Sequence, residues 1–336
     1  MFSQYYHATN ITSAPVTSTI TVTPSANSCV GAATVVTAIT VNPTPVVNTI
    51  ANQILCNGSS IAAINFASPV AGSSYSWTND VPSMGLAASG SGSIASFAAI
   101  NITSAPVLAT IRVTPSANGC VGAATLVTTI LVNPTPVVNT TANQILCNGS
   151  ATAAINFSSA VSGSSYAWTN TLASIGLATS GSGNIGSFAA TNITSAPVTS
   201  TITVTPSANS CVGAATLVTT ILVNPTPLLS SMESGMAICD SLSFNYTPSS
   251  LTTGVVFNWS RAAVTGIEQG ASSGTGNISE VLSNSTNTNI TVTYVFTLTA
   301  NGCSHTQSIT IIVHPTPFLS FLYKPFLITE SPYFII

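Results

Sequence analysis

Thr201-Ile202-Thr203-Val204-Thr205 alternates hydroxyl and apolar side chains without a break. A period of two marks a half-buried β-strand, because successive side chains point to opposite faces. The alternation sends Ile202 and Val204 inward and the three threonines outward. The stretch recurs 91 residues earlier as Thr110-Ile111-Arg112-Val113-Thr114, whose one charge falls on the outward face and supports the same register. It returns as Thr293-Tyr294-Val295-Phe296-Thr297-Leu298, with aromatics at the inward positions. After the first stretch, Pro206 to Ser210 reads as a turn. Thr216 to Val223 reads as the strand that comes back, so the two form a hairpin.

The recurrence extends over most of the chain. Asn-Pro-Thr-Pro stands at Asn42–Pro45, Asn133–Pro136 and Asn224–Pro227, and His-Pro-Thr-Pro at His314–Pro317, in steps of 91, 91 and 90. Asn-Ile-Thr-Ser-Ala-Pro-Val begins at Asn10, Asn101 and Asn192, and tryptophan falls at Trp77, Trp168 and Trp259. A fixed period of this length means tandem units, each the size of one small domain. The expected division is 1–45 (second half of a repeat), 46–136, 137–227, 228–317 (a divergent repeat) and an unassigned apolar tail, 318–336. The prolines end each closing strand and make a short, semi-rigid joint. Within a unit, further strands are expected near Asn52–Leu55, Ile61–Phe66 and Tyr75–Thr78, and a loop at Ser89–Ser93. No 3.6-residue apolar stripe persists, so helices are not expected.

Charged residues are 3% of the chain, against about 25% in an ordinary soluble domain. Arg112, Arg261 and Lys324 are the fixed cations. That is too few to neutralise phosphates, so nucleic acid is not an expected partner. Membrane insertion by the repeats is not expected either. Lys324, Pro325, Glu330 and Pro332 interrupt the tail, which falls short of the ~20 apolar residues that span a bilayer.

Ser74-Tyr75-Ser76-Trp77-Thr78-Asn79 resembles the Tyr-x-Trp strand of PKD-type domains. Tyr294-x-Phe296-x-Leu298, Asn301-Gly302-Cys303 and Val313-His314-Pro315 resemble the final hairpin of PKD-like repeats. Such repeats occur in Bacteroidetes surface proteins, often beside gliding-motility-associated domains. The resemblance covers residues 1–317 and lacks the Asp-rich stretch that usually follows the Trp. It implies an all-β chain of tandem immunoglobulin-like (PKD-like) β-sandwich domains in an extracellular or cell-surface array.

Cysteines fall 64 apart in three pairs: Cys56 and Cys120, Cys147 and Cys211, Cys239 and Cys303. His7, His305 and His314 do not follow the period, so neither a metal set nor a thiol–base pair recurs. Structural disulfides in an oxidising compartment are the expected reading. Pairing within each repeat is favoured. Pairing between neighbours (Cys56 with Cys211, Cys147 with Cys303) is the alternative, because a simple sandwich puts the two turns at opposite poles. The within-repeat partner of Cys29 would lie before Met1, so Cys29 is expected to be unpaired and the chain reads as part of a longer array. The three tryptophans are expected in the cores.

Asp80, Glu233, Asp240, Glu268, Glu280 and Glu330 form no repeated carboxylate pair, as acid–base catalysis or a calcium site would need. Asn10, Asn57, Asn101, Asn148 and Asn192 head Asn-x-Ser/Thr triplets. The expected function is therefore non-enzymatic, with no catalytic, cofactor-binding or metal-binding residue: a spacer, stalk or adhesin segment. Its partners are neighbouring repeats and surface glycans or other cell-surface proteins. The alternative is a carbohydrate- or surface-binding module that uses exposed aromatics or Thr-rich strand faces.

Overall fold

The computed structural model describes residues 7–231 and 235–317. The tail at 318–336 lies outside the described residues. Three antiparallel-rich sheets follow one another, each with the same strand order. In the first, that order is Gln53–Cys56, Thr125–Asn133, Val107–Ala117, Ser74–Asn79, Ser89–Ser91. The edge strand Gln53–Cys56 runs parallel to the closing strand, which sets Cys56 beside Asn133. A second, smaller layer faces this sheet. In the third unit it is the pair Leu242–Tyr246 and Ile278–Leu282. In the first it narrows to Ser60–Ile61 with Phe97–Ala98 and an Ile64–Ile94 bridge. The chain is thus a row of tandem immunoglobulin-like β-sandwiches.

The alternation sets the cores. Ile202 and Val204 are fully buried, as are their counterparts Ile111 and Val113, while the threonines between are not. Tyr294 and Phe296 occupy the same inward face in the third unit. There Tyr294 meets Trp259 edge-on at 5.7 Å and Phe244 at 5.3 Å, so an aromatic cluster replaces the aliphatic one. In the first two units a bulge on the closing strand buries both Val127 and Thr128, and both Val218 and Thr219. The buried hydroxyls are satisfied: Thr128 Oγ1 donates to Ala51 O at 2.9 Å and Thr219 Oγ1 to Ala142 O at 2.8 Å.

Three local expectations are corrected. The strand expected at Ile61–Phe66 reduces to Ser60–Ile61 and an isolated bridge at Ile64. The Ser/Gly stretch is a short strand rather than a loop: Gly90 pairs with Trp77, and Gly181 with Trp168. Each indole lies flat over its glycine, and a Cβ there would overlap the ring. The glycine is therefore a packing requirement. The turn after the Thr/Ile strand is also shorter than expected. The strand runs to Ala208 through Pro206, and the reversal is left to Asn209 and Ser210, both at positive φ. Proline is accommodated because pairing with the closing strand extends only to Val204, so no ladder donor is needed from position 206 on that side, and its carbonyl accepts from Gly213 N at 2.8 Å.

Candidate functional site

The features that recur with the period and lie between units are the junctions. Each is built from the end of one closing strand and the hairpin turn of the next unit. Asn133 Nδ2 donates to Asn209 O at 3.2 Å, and Asn224 Nδ2 to Asn301 O at 3.0 Å. Asn42 Nδ2 makes the equivalent bond to Asn118 O at 2.9 Å. The Asn of Asn-Pro-Thr-Pro is thus a docking residue as well as a strand end. The carbonyl of Pro45 packs on Gly122 and that of Pro136 on Gly213, so closely that any side chain there would collide. The threonine of the motif is tied to its own unit's first turn: Thr226 Oγ1 accepts from Asn148 Nδ2 at 3.0 Å, and Thr316 Oγ1 donates to Asp240 at 2.6 Å. That bond, followed by one from Asn284 N, holds the Asp240 carboxyl below its usual range.

Disulfides cross these junctions. Cys56 bonds Cys211 and Cys147 bonds Cys303, with Cα–Cα distances of 5.5 and 5.6 Å. The favoured pairing of Cys56 with Cys120, Cys147 with Cys211 and Cys239 with Cys303 is therefore corrected. The reason is the length of the Val107–Ala117 strand. One end pairs beside Val132, next to Asn133 and Cys56, and the other ends at Cys120. Its 11 residues rise about 3.3 Å each, which separates the two sulfurs by roughly 30 Å. No disulfide spans that. Cys120, Cys239 and Cys29 are free.

The Asn-Ile-Thr-Ser-Ala-Pro-Val motif is a plug under the closing strand. Asn192 Nδ2 donates to Ala196 O and Val223 O, both at 2.8 Å, and its Oδ1 accepts from Thr194 N and Oγ1. Asn101 repeats this, as does Asn284 in the third unit. Asn101 and Asn192 are 4% exposed. Neither amide offers itself as a glycan acceptor. The isoleucine beside the plug behaves oppositely: Ile11, Ile102 and Ile193 are at least 90% exposed. Each lines a groove at its junction, Ile102 with Thr135, Val137 and Val161, and Ile193 with Thr226, Leu228 and Leu251.

Trp77, Trp168 and Trp259 are 7–8% exposed and offer no stacking face to a sugar. One ionic feature escaped the sequence reading. Arg261 is buried, with Nε donating to Glu280 at 2.9 Å and Nη2 to Gly270 O at 2.8 Å, and Tyr294 Oη donates to the same carboxylate at 2.6 Å. The signal was positional. Arg261 stands 91 residues after Asn170 and 182 after Asn79. Those asparagines hold the same loop, through Asn170 to Leu177 O and Asn79 to Leu86 O. Burial pushes the Glu280 carboxyl up, but bonds from Arg261, Ser272 and Tyr294 hold it below its usual range. Burial, then Glu280, raises Tyr294 well above the ordinary phenol. Among the described residues, no three of His, Cys, Asp and Glu come together as a metal would need, and no helix is long and apolar enough to cross a membrane.

Residues 236–317 match a family model described as a PKD-like domain. Comparison with curated proteins finds no match. Among solved structures, a three-immunoglobulin-domain structure of titin is similar at 9% identity, over 81% of this chain and 99% of that one, with a TM-score of 0.45. Drosophila OTK extracellular domains 3–5 are similar at 10% identity, over 80% and 96%, with a TM-score of 0.31. Drosophila N-cadherin EC1-4 is similar at 9% identity, over 91% and 84%, with a TM-score of 0.30. The chain is a tandem array of immunoglobulin-like β-sandwiches whose last unit is similar to a PKD-like domain.

Proposed function

We propose that this chain is a non-enzymatic extracellular or cell-surface spacer whose neighbouring units are bolted together to resist extension. The observation that carries the reading is the pair of disulfides that cross the junctions, Cys56–Cys211 and Cys147–Cys303. Such bonds persist in oxidising compartments. They also shorten the path along which tension travels. The backbone from Cys56 to Cys303 is 247 residues (303 − 56). The bonded path crosses to Cys211, returns 64 residues to Cys147 (211 − 147) and crosses to Cys303. At ~3.5 Å per extended residue these are roughly 860 Å and 220 Å. Single-molecule pulling from the two ends tests this. Between Cys56 and Cys303, oxidised chain should release contour for about a quarter of the residues freed after reduction; equal release in both states would sink the proposal.

A second, compatible reading is adhesion. It is favoured by the near-full exposure of Ile11, Ile102 and Ile193 in grooves at successive junctions. Weak apolar contacts to another surface protein, repeated along a stiff array, would add by avidity. Replacing Ile102 and Ile193 by Ser should reduce binding of chain-coated beads to cell surfaces; unchanged binding counts against it.

A further inference from the structure

The second unit, 137–227, has a more polar core than its near-copy 46–136. Ile61 is buried in the first unit, and its counterpart 91 residues on is a buried threonine, Thr152. Ile50 packs on the first core. Its counterpart Thr141 buries a hydroxyl that has no hydrogen-bond partner among the described residues. Each exchange loses apolar burial and takes a polar group out of water, so each weakens the second unit. The smaller layer thins at the same place. Ser60–Ile61 pairs with Phe97–Ala98 in the first unit, and in the second this reduces to an isolated Ala151–Ala189 bridge. Part of the reason is that the Thr152 hydroxyl itself accepts from Phe188 N, at 3.0 Å.

Both junction bonds end in this weaker unit, at Cys211 and at Cys147. They set how far its neighbours can part when it opens. The shortest covalent route from the first unit to the third leaves the first closing strand at Asn133, runs to Cys147 and crosses to Cys303. It holds 14 residues (147 − 133), about 50 Å when extended. The folded unit already spans roughly 35 Å along its 11-residue strand Val198–Ala208. With the bonds gone, the route runs from Asn133 to Leu229, which is buried in the third core. It then holds 96 residues (229 − 133), about 340 Å when extended.

We infer that the second unit yields before its near-copy, and that the two junction bonds are a stop on its extension. While they are intact, its opening lets the neighbours part by about 15 Å; once they are reduced, it lets them part by about 300 Å. The array therefore keeps its length in an oxidising compartment even when this unit opens, and lengthens there where thiols reach it. Reduction is by exchange with a dithiol: the two cysteine sulfurs of each bond take up two electrons and two protons, and the dithiol closes to its own disulfide. The inference rests on the load-bearing spacer reading above.

The experiment pairs amide exchange with single-molecule pulling, both on the full chain, with and without excess dithiothreitol. In the reduced chain, Val198–Ala208 should be about a hundredfold less protected than Val107–Ala117, at about tenfold for each of the two threonines. Thr141→Ile with Thr152→Ile should bring the two strands to within tenfold and raise the force of the first long step. Pulling should show steps of about 300 Å after reduction and none of that length before it. Equal protection of the two strands in the reduced chain overturns the choice of unit, and leaves the spacer reading standing if the total release still falls to about a quarter on oxidation. Steps of about 300 Å in the oxidised chain overturn the stop. An unchanged first-step force in the double variant overturns the link between the polar core and yielding.

Discussion

Removing one junction bond tests the architecture most directly. Take Cys147→Ser with Cys303→Ser, which deletes the bond between the second and third units. When the third unit opens while the second stays folded, its chain is tethered at the Asn224 junction and again at Cys303. The bond therefore closes a loop of 79 residues (303 − 224). In the chain-entropy model, a loop of that length stabilises the third unit by about 4.5 kcal/mol. Each ~1.4 kcal/mol is a tenfold change in the opening equilibrium, so the loss amounts to roughly three powers of ten. Amide exchange along the Ile290–Ala300 strand reads that equilibrium locally. Exchange there should accelerate by two to three powers of ten in the double variant. The Val107–Ala117 strand, in the unit stapled by Cys56–Cys211, should keep its protection. A change below tenfold in the third unit, or an equal change in the first, would refute the junction argument. Cys120→Ser is the control and should change neither, because Cys120 carries no bond in this chain.

Other consequences follow from single contacts. Gly181→Ala places a methyl into the buried Trp168 indole; the second unit should lose about 1–3 kcal/mol, measured by denaturant unfolding. Asn192→Ala leaves Ala196 O and Val223 O without their donor and should cost about 1–3 kcal/mol in the same assay. Glu280→Leu strands a buried guanidinium and should cost the third unit about 3 kcal/mol. The pH response should separate the units. Glu280 is held below its usual range in the fold, so its contribution is complete above the ordinary carboxylate pKa and is lost as pH falls through the folded value. Tyr294 is shifted upward, so its contribution is present below the ordinary phenol pKa and is lost as pH rises beyond it. Residues 137–227 contain no Asp, Glu, His, Lys or Arg. Lowering the pH from 7 to 3 should therefore reduce the amide protection factors of the third unit, each referred to the intrinsic exchange rate at its own pH, and leave those of the second unchanged. Equal acid sensitivity in both would contradict this assignment.

The sequence by itself determined everything that depends on side-chain period. Alternation in Thr201–Thr205 chose strand over helix, and the inward places of Ile202 and Val204 follow from it. The 91-residue step showed that the sandwich recurs. The Gly/Ser strand was not legible, because Gly90 and Gly181 carry no alternating pattern and are required only by the indole lying over them. The role of Arg261 was hidden for a related reason: one cation in a chain with few charges reads as surface until strand pairing brings Glu280 and Tyr294 to it. Above all, tertiary structure decided the disulfides. Spacing along the chain is the same whether a cysteine turns to its own unit or to the next. The choice belongs to an 11-residue strand that carries the two ends of each unit apart, and to a docked asparagine that brings neighbouring units together.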